Sequence, residues 1–211
     1  MNKKIKHLLF ICIAIVFQNS SYAQKYKPFE GTIFYDVFFQ ATPDSIPHKV
    51  NYLTIRAKDS LVRIDTYSDA FGAQTTIRNL NQKKSYILLK NNDTYYAIKQ
   101  HDNDSSTTNF SFKKLPQKRK LDGFTVKRIK RLHADNTLDT VYYFPKINPI
   151  YLNYNSLIKG LYAEYSVQVN ETAKLIYRAI KIEQGELDKK LFQIPSIFKI
   201  VTLDEFILEN K

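Results

Sequence analysis

Sulfur is nearly missing from this chain of 211 residues, which holds one Cys and one Met. Both sit near the start, as Cys12 and Met1. Everything after them lacks a disulfide, a thiolate metal site and a Cys nucleophile. Trp is absent, and the five glycines, at 31, 72, 123, 160 and 185, stand singly at segment boundaries. That excludes a glycine-rich phosphate loop. His-Glu-x-x-His and Gly-x-Ser-x-Gly are missing as well, so the common zinc-protease and serine-hydrolase signatures do not apply. The apolar run from Leu8 to Phe17 is about half the length that a bilayer span requires.

That run reads as the core of a secretory signal. Lys3, Lys4 and Lys6 precede it, polar residues 18–20 follow, and Ser21-Tyr22-Ala23 fits cleavage after Ala23. An uncleaved membrane anchor is the alternative, which the run length disfavours. Cys12 follows Phe10-Ile11 in mid-run rather than small residues, so lipidation is not expected. Removing residues 1–23 takes three lysines and no acid, so the formal charge falls from +12 to +9 (12 − 3). Residues 24–211 then form one domain, long enough to build a core without cross-links. Its positive balance bears on solubility and on attraction to anionic surfaces. For a periplasmic or secreted chain the matching partners are an anionic membrane surface or an acidic envelope protein, and nucleic acid is not expected. No cofactor is implied, and a monomer is expected.

What the chain does have is sheet-forming residues: 15 Tyr and 14 Phe, with abundant Ile, Val and Thr. Alternation predicts strands over 31–40, 50–57, 61–67, 74–79, 85–90, 94–99, 123–132, 138–144, 161–169 and 174–183. Lys58-Asp59-Ser60 and Asn91-Asn92-Asp93 supply hairpin turns. Residues 110–115 read as a short edge strand and 116–120 as basic coil. Pro195 confines the first half of 191–200 to an edge or a loop. Thr202 with Glu205 predicts a capped C-terminal helical turn, and 155–159 is a second helical candidate. The fold class is mainly β, a single antiparallel sheet of about ten strands with one or two short helices.

Two features stand out from this sheet. Strands 138–144 and 161–169 are separated by residues 145–160, far longer than a tight hairpin needs. The stretch from Ile147 to Lys159 is therefore expected to lie over an end or face of the sheet. Tyrosines crowd this region, and most serve as cross-strand packing. The sharper expectation is that Tyr143, Tyr151, Tyr154, Leu157 and Tyr165 line an apolar pocket, since phenols add a hydroxyl to apolar area. The second feature is charge: nine cations fall within residues 113–131, opposed by Asp122 alone. Lys118, Arg119, Lys120, Lys127, Arg128, Lys130 and Arg131 form a candidate docking patch. The plainer reading is a solvated strand end and loop. Charge on both faces of 123–132 implies that its later half projects beyond the core. His48, His101 and His133 each lie beside turn or loop residues, and 102–104 lacks the Gly and terminal Glu of a calcium loop, so no metal is expected.

From Gly123 onward the landmarks read DGFTVKRI, TVYYFPKI, IKGLYAEYSV and LFQIPSIFKI, after an opening FEGTIFYDV. Their order resembles a group of exported bacterial proteins whose fold is like the outer-membrane lipoprotein carriers (LolA/LolB-like), including the Gly-Leu-Pro-Gly-Leu-Ile variety. Tyr142-Tyr143 stands where Trp is common in that group, and LIKGL lacks its prolines. The resemblance implies a strongly curved antiparallel sheet, a half-barrel whose concave face is covered by short helices or loops. It implies no catalytic residues.

Two function classes follow. One is a non-enzymatic envelope binding protein that holds a lipid-like or other apolar molecule in the curved sheet beneath residues 145–160. The other is a structural or interaction protein with a self-filled core and a basic docking patch. A hydrolase with no recognisable motif is the remaining reading.

Overall fold

The computed structural model describes residues 26, 28–68, 72–100, 111–132, 138–152 and 158–210. Among them the alternating pattern becomes twelve strands: β1 (Gly31–Gln40), β2 (His48–Lys58), β3 (Leu61–Ser68), β4 (Gly72–Asn79), β5 (Lys84–Asn91), β6 (Thr94–Gln100), β7 (Ser111–Leu121), β8 (Phe124–Leu132), β9 (Leu138–Phe144), β10 (Leu161–Gln168), β11 (Lys174–Gln184) and β12 (Lys199–Val201). They form one open sheet in the order β12-β6-β5-β4-β3-β2-β1-β11-β10-β9-β8-β7. This is twelve strands rather than about ten, and the additional ones lie at the edges. One meander runs outward from β1 to β6. A second runs inward from β7 to β11, which pairs with β1 from Gly31↔Gln184 to Gln40↔Lys174.

Local chemistry sets the turns. Asp59, Asn92 and Asp122 adopt φ of 53°, 52° and 45° at hairpin tips, a left-handed conformation these side chains tolerate. β1 occupies the middle of the sheet, and its row Ile33, Tyr35 and Val37 is buried in the main cluster with Leu53, Ile55, Ala57 and Val62. We call the face that bears this row the inner face. The sheet is curved: the β7–β8 turn reaches back to β11, where Asp122 Oδ2 accepts from the Ile182 amide at 2.7 Å. A flat sheet would hold β8 about 14 Å from β11, three strand spacings away. A register slip between Tyr162 and Glu164 contributes to the bend.

The C-terminal segment wraps one edge. Residues 185–198 cross the outer face of the first meander, with Lys58 Nζ donating to Leu187 O at 2.8 Å and Arg63 Nη1 to Leu191 O at 3.1 Å. Ile194 and Phe198 pack there on Ile77, Leu88 and Ala97. β12 then adds to β6 in parallel, so the sheet is not wholly antiparallel. Helix α1 (Leu203–Glu209) turns back onto the inner face, where Phe206 joins Leu89, Tyr96, Ile98 and Val201. Thr202 caps it through the predicted reciprocal bonds with Glu205. Among the described residues no helix is long and apolar enough to cross a membrane.

Two expectations need correction. Residues 116–120 are not coil: β7 runs through Pro116 with a register slip between Lys114 and Lys118. An edge strand tolerates a proline because one side of it needs no ladder hydrogen bond. The later half of β8 does not project beyond the core either. Ile129 there is buried with Val141, Tyr143 and Ile158, while Arg131 pairs with Asp139.

Candidate functional site

The first part of the long connection, residues 145–152, leaves β9 and folds onto the inner face. Its Ile147 is 1% exposed and its Tyr151 4% exposed, both inside the main cluster. Asn148 accepts from the Ile150 amide and starts a 3-10 turn over Pro149–Tyr151, which sets Tyr151 inward. The Tyr151 ring lies 6.4 Å from that of Phe29, and its hydroxyl donates to Asp59 O at 3.4 Å. Arg78 on β4 lies beneath, with Nη1 at 3.5 and 3.4 Å from the carbonyls of Tyr151 and Leu152. Gly160 closes the connection where only glycine fits, since a Cβ there would stand 2.4 Å from Phe144 O.

Of the pocket candidates, Tyr143 and Tyr165 share one cluster and Tyr151 lies in another. Tyr151 fills the core under the connection. Tyr143 is buried with Ile129, Val141 and Ile158, and Tyr165 packs against that group from β10. Tyr154 and Leu157 lie outside the described residues, as do His101, His133, residues 102–104 and most of the helical candidate at 155–159. His48 is described, at the start of β2, with its ring 5.8 Å from that of Phe39. Among the described residues no group of three or more His, Cys, Asp or Glu is placed to hold a metal ion.

Beyond the connection the inner face carries an aromatic and aliphatic row of which only Tyr165 is singled out by the sequence. The registers place Val37 opposite Tyr177, Phe39 opposite Leu175, Tyr165 opposite Tyr177 and Val167 opposite Leu175. Tyr165 and Tyr177 stack at 4.7 Å with an interplanar angle of 4°. Tyr35 donates to Tyr162 O at 2.6 Å and so ties β1 to β10 across β11. Burial declines along the row: Val37 is buried, Tyr177, Tyr165, Leu175 and Phe39 are half-buried, and Val167 is 46% exposed. Desolvation pushes the hydroxyls of Tyr35, Tyr143, Tyr151, Tyr165 and Tyr177 upward from the ordinary phenol value. They are neutral groups that exchange hydrogen bonds near neutral pH, not bases.

The basic run divides between the two faces of β7 and β8. Arg119 and Arg128 flank Tyr142, their guanidinium carbons 4.6 and 5.8 Å from its ring centroid. Glu164 stands between Arg119, at 3.1 Å, and Arg178, at 3.3 Å. Arg131 is held by Asp139, and Arg128 donates to Gln117. Asp139 lies eight residues on, directly opposite Arg131 in the β8–β9 pair, whereas Glu164 comes from β10, 45 residues beyond Arg119. Lys118, Lys120, Lys127 and Lys130 have no ion-pair partner among the described residues.

No family model matches the chain, and no curated protein matches it. Sixteen solved chains do match. One is the structure of PNGF-II in its C2 space group, with 13% identity and a TM-score of 0.50, covering 85% of this chain. This chain spans 32% of the length of that structure. At such identity the likeness concerns the fold alone.

Proposed function

We propose that the chain is an exported, non-enzymatic binding protein of the cell envelope that holds an apolar or lipid-like molecule on the inner face of its sheet. In this reading the signal is cleaved after Ala23, the mature domain is periplasmic or secreted and unlipidated, and the sheet is a half-barrel like that of the lipoprotein carriers. The observation that carries it is the row Phe39, Leu175, Tyr177, Tyr165 and Val167, which is graded from half-buried to exposed on the inner face. An apolar ligand laid along it removes apolar surface from water, at about 25 cal/mol per Å². The stacked tyrosines supply a rigid wall, and their hydroxyls supply orientation.

The test is native mass spectrometry of the protein purified from its own envelope, with lipid extraction in parallel. A bound apolar species is expected, and Val167→Glu, which places a charge in the contact, is expected to lower its retention more than about tenfold. Absence of any such species, or retention unchanged in the variant, overturns the reading.

A second reading has its own observation: Tyr151 and Ile147 already fill the inner face beneath the connection. In that case the chain is an interaction protein whose basic face docks on an anionic surface. Reversing Lys118, Lys120, Lys127 and Lys130 to Glu is then expected to abolish anionic-liposome binding that weakens with salt. Binding that is unchanged and insensitive to salt removes this alternative.

A further inference from the structure

We propose that a cleft between the 185–198 crossing and the outer face of β3–β6 binds a small organic carboxylate with an apolar body. The cleft has a volume of about 550 Å³, within the range of about 300–1,000 Å³ typical of ligand sites. It lies on the opposite side of the sheet from the inner-face row, so it stands or falls independently of the function proposed above.

Its lining joins two kinds of group. Leu88 and Ala73 form an apolar floor, with Pro195, Phe198 and Tyr95 as walls. Tyr95 and Phe198 meet edge to face at 5.3 Å. The charged groups in the lining are Arg63 and Lys90, with no carboxylate among its described residues. They stand on β3 and β5, two strand spacings (about 10 Å) apart across the sheet, and four residues (about 13 Å) apart along it, since Arg63 aligns through Ile77 with Tyr86.

Arg63 is held in place but not exhausted. A guanidinium has five N–H donors. Nε is directed to Asp65 Oδ1 and Oδ2 at 2.9 and 3.1 Å, Nη1 to Leu191 O at 3.1 Å and Nη2 to Thr75 Oγ1 at 3.3 Å. These uses account for three donors, leaving two for a ligand oxygen pair. Asp65 is committed elsewhere as well, accepting from Thr75 at 2.7 Å and pairing with Arg56. The local balance of Arg56, Arg63 and Asp65 is therefore positive by one. Lys90 rests 5.6 Å over the Tyr95 ring and 3.7 Å from Asp93, which is fully exposed. A pair so open to solvent is weak, so this ammonium is free to turn toward an anion. A fixed guanidinium at one end, a mobile ammonium at the other and apolar surface between them complement an amphipathic carboxylate.

The probe is 3-phenylpropionate titrated into the whole chain, followed by amide shifts of Thr75, Lys90 and Phe198, with 3-phenylpropan-1-ol as the uncharged control. Saturable shifts are expected for the acid, and binding of the alcohol weaker by about tenfold or more, the scale of a charge-assisted pair. Ala73 is exposed, so Ala73→Phe is expected to fill the cleft and abolish the shifts without lowering the melting temperature. Lys90→Glu is expected to weaken binding about fivefold or more, and Val167→Glu to leave it unchanged. Equal binding of acid and alcohol, binding that survives Ala73→Phe, or no saturable shift in the millimolar range overturns the proposal.

Discussion

The two edges of this sheet meet the same physical problem in opposite ways. An edge strand offers unpaired backbone donors and acceptors to any other extended chain. At the β6 edge the C-terminal segment closes the problem with its own residues: a crossing on the outer face, the parallel strand β12 at the rim and α1 on the inner face. At the β7 edge there is no such wrapping among the described residues. There the strand itself is hostile to pairing, with Lys113, Lys114, Lys118, Arg119 and Lys120 around Pro116 and a register slip at its middle. Apolar cover makes an edge part of the core, so it contributes stability and depends on packing. Charge and proline keep an edge solvated, so they contribute little to stability and act against association.

This contrast gives expectations that differ in kind. Phe206 is 8% exposed and packs edge to face on Tyr96 at 5.1 Å. Phe206→Ala is expected to cost about 3 kcal/mol or more in urea unfolding, and to expose the amides of β12 and β6 to hydrogen exchange. A loss below about 1 kcal/mol would mean that the wrapping is decorative. Thr202→Ala removes the hydroxyl half of the capping box, leaving the residue-202 amide on Glu205, and is expected to cost about 1 kcal/mol. It also has a pH signature. The amide and hydroxyl of Thr202 hold the Glu205 carboxyl below its ordinary value. A lowered folded-state pKa contributes stability that is present above the unfolded value, near 4.3, and is lost as pH falls through the folded one. The parent should therefore lose stability more steeply than Thr202→Ala below about pH 4.5. Parallel pH curves would mean that the residue-202 amide alone, and not the hydroxyl, holds Glu205. The smallest stability effect is expected at the other edge, where replacing Lys113, Lys114, Lys118 and Lys120 by Thr should change unfolding by no more than about 0.5 kcal/mol. The same variant should associate at concentrations where the parent stays monodisperse by light scattering. If it stays monodisperse too, the lysines serve something other than edge protection, and the docking reading gains.

The legible and illegible parts of the chain divide along a similar line. β1, β9 and the Thr202 cap lie where alternation and turn chemistry place them, because each is specified by neighbours in sequence. The first half of β7 is legible as an edge strand, but the half beyond Pro116 was hidden by the proline and by its lysines. β12 was hidden because its partner β6 lies about 100 residues earlier and is reached only by the crossing. The candidate site divides in the same way. Tyr143 and Tyr165 meet in one cluster, while Tyr151 lies in another. The row of Phe39, Leu175, Tyr177 and Val167 exists only through the pairing of β1, β11 and β10. Alternation identifies which residues share a face of one strand; it does not identify the strand alongside.

The pairing of β1 with β11 also has a kinetic consequence. Every other antiparallel pair in the sheet joins strands consecutive in the chain, so each meander assembles from local hairpins. The β1–β11 ladder joins residues from 134 positions apart (Gln40↔Lys174) to 153 (Gly31↔Gln184). Loop closure on that scale is slow relative to hairpin formation, which takes about 1–10 μs. The two meanders thus behave as prefabricated halves with a seam between them, and Ile33, Tyr35, Val37, Ala179 and Ile182 are its facing. Until that seam closes, the most apolar strip of the molecule is open to water. Folding speed, and exposure to misassembly, are set in the middle of the sheet and not at either rim.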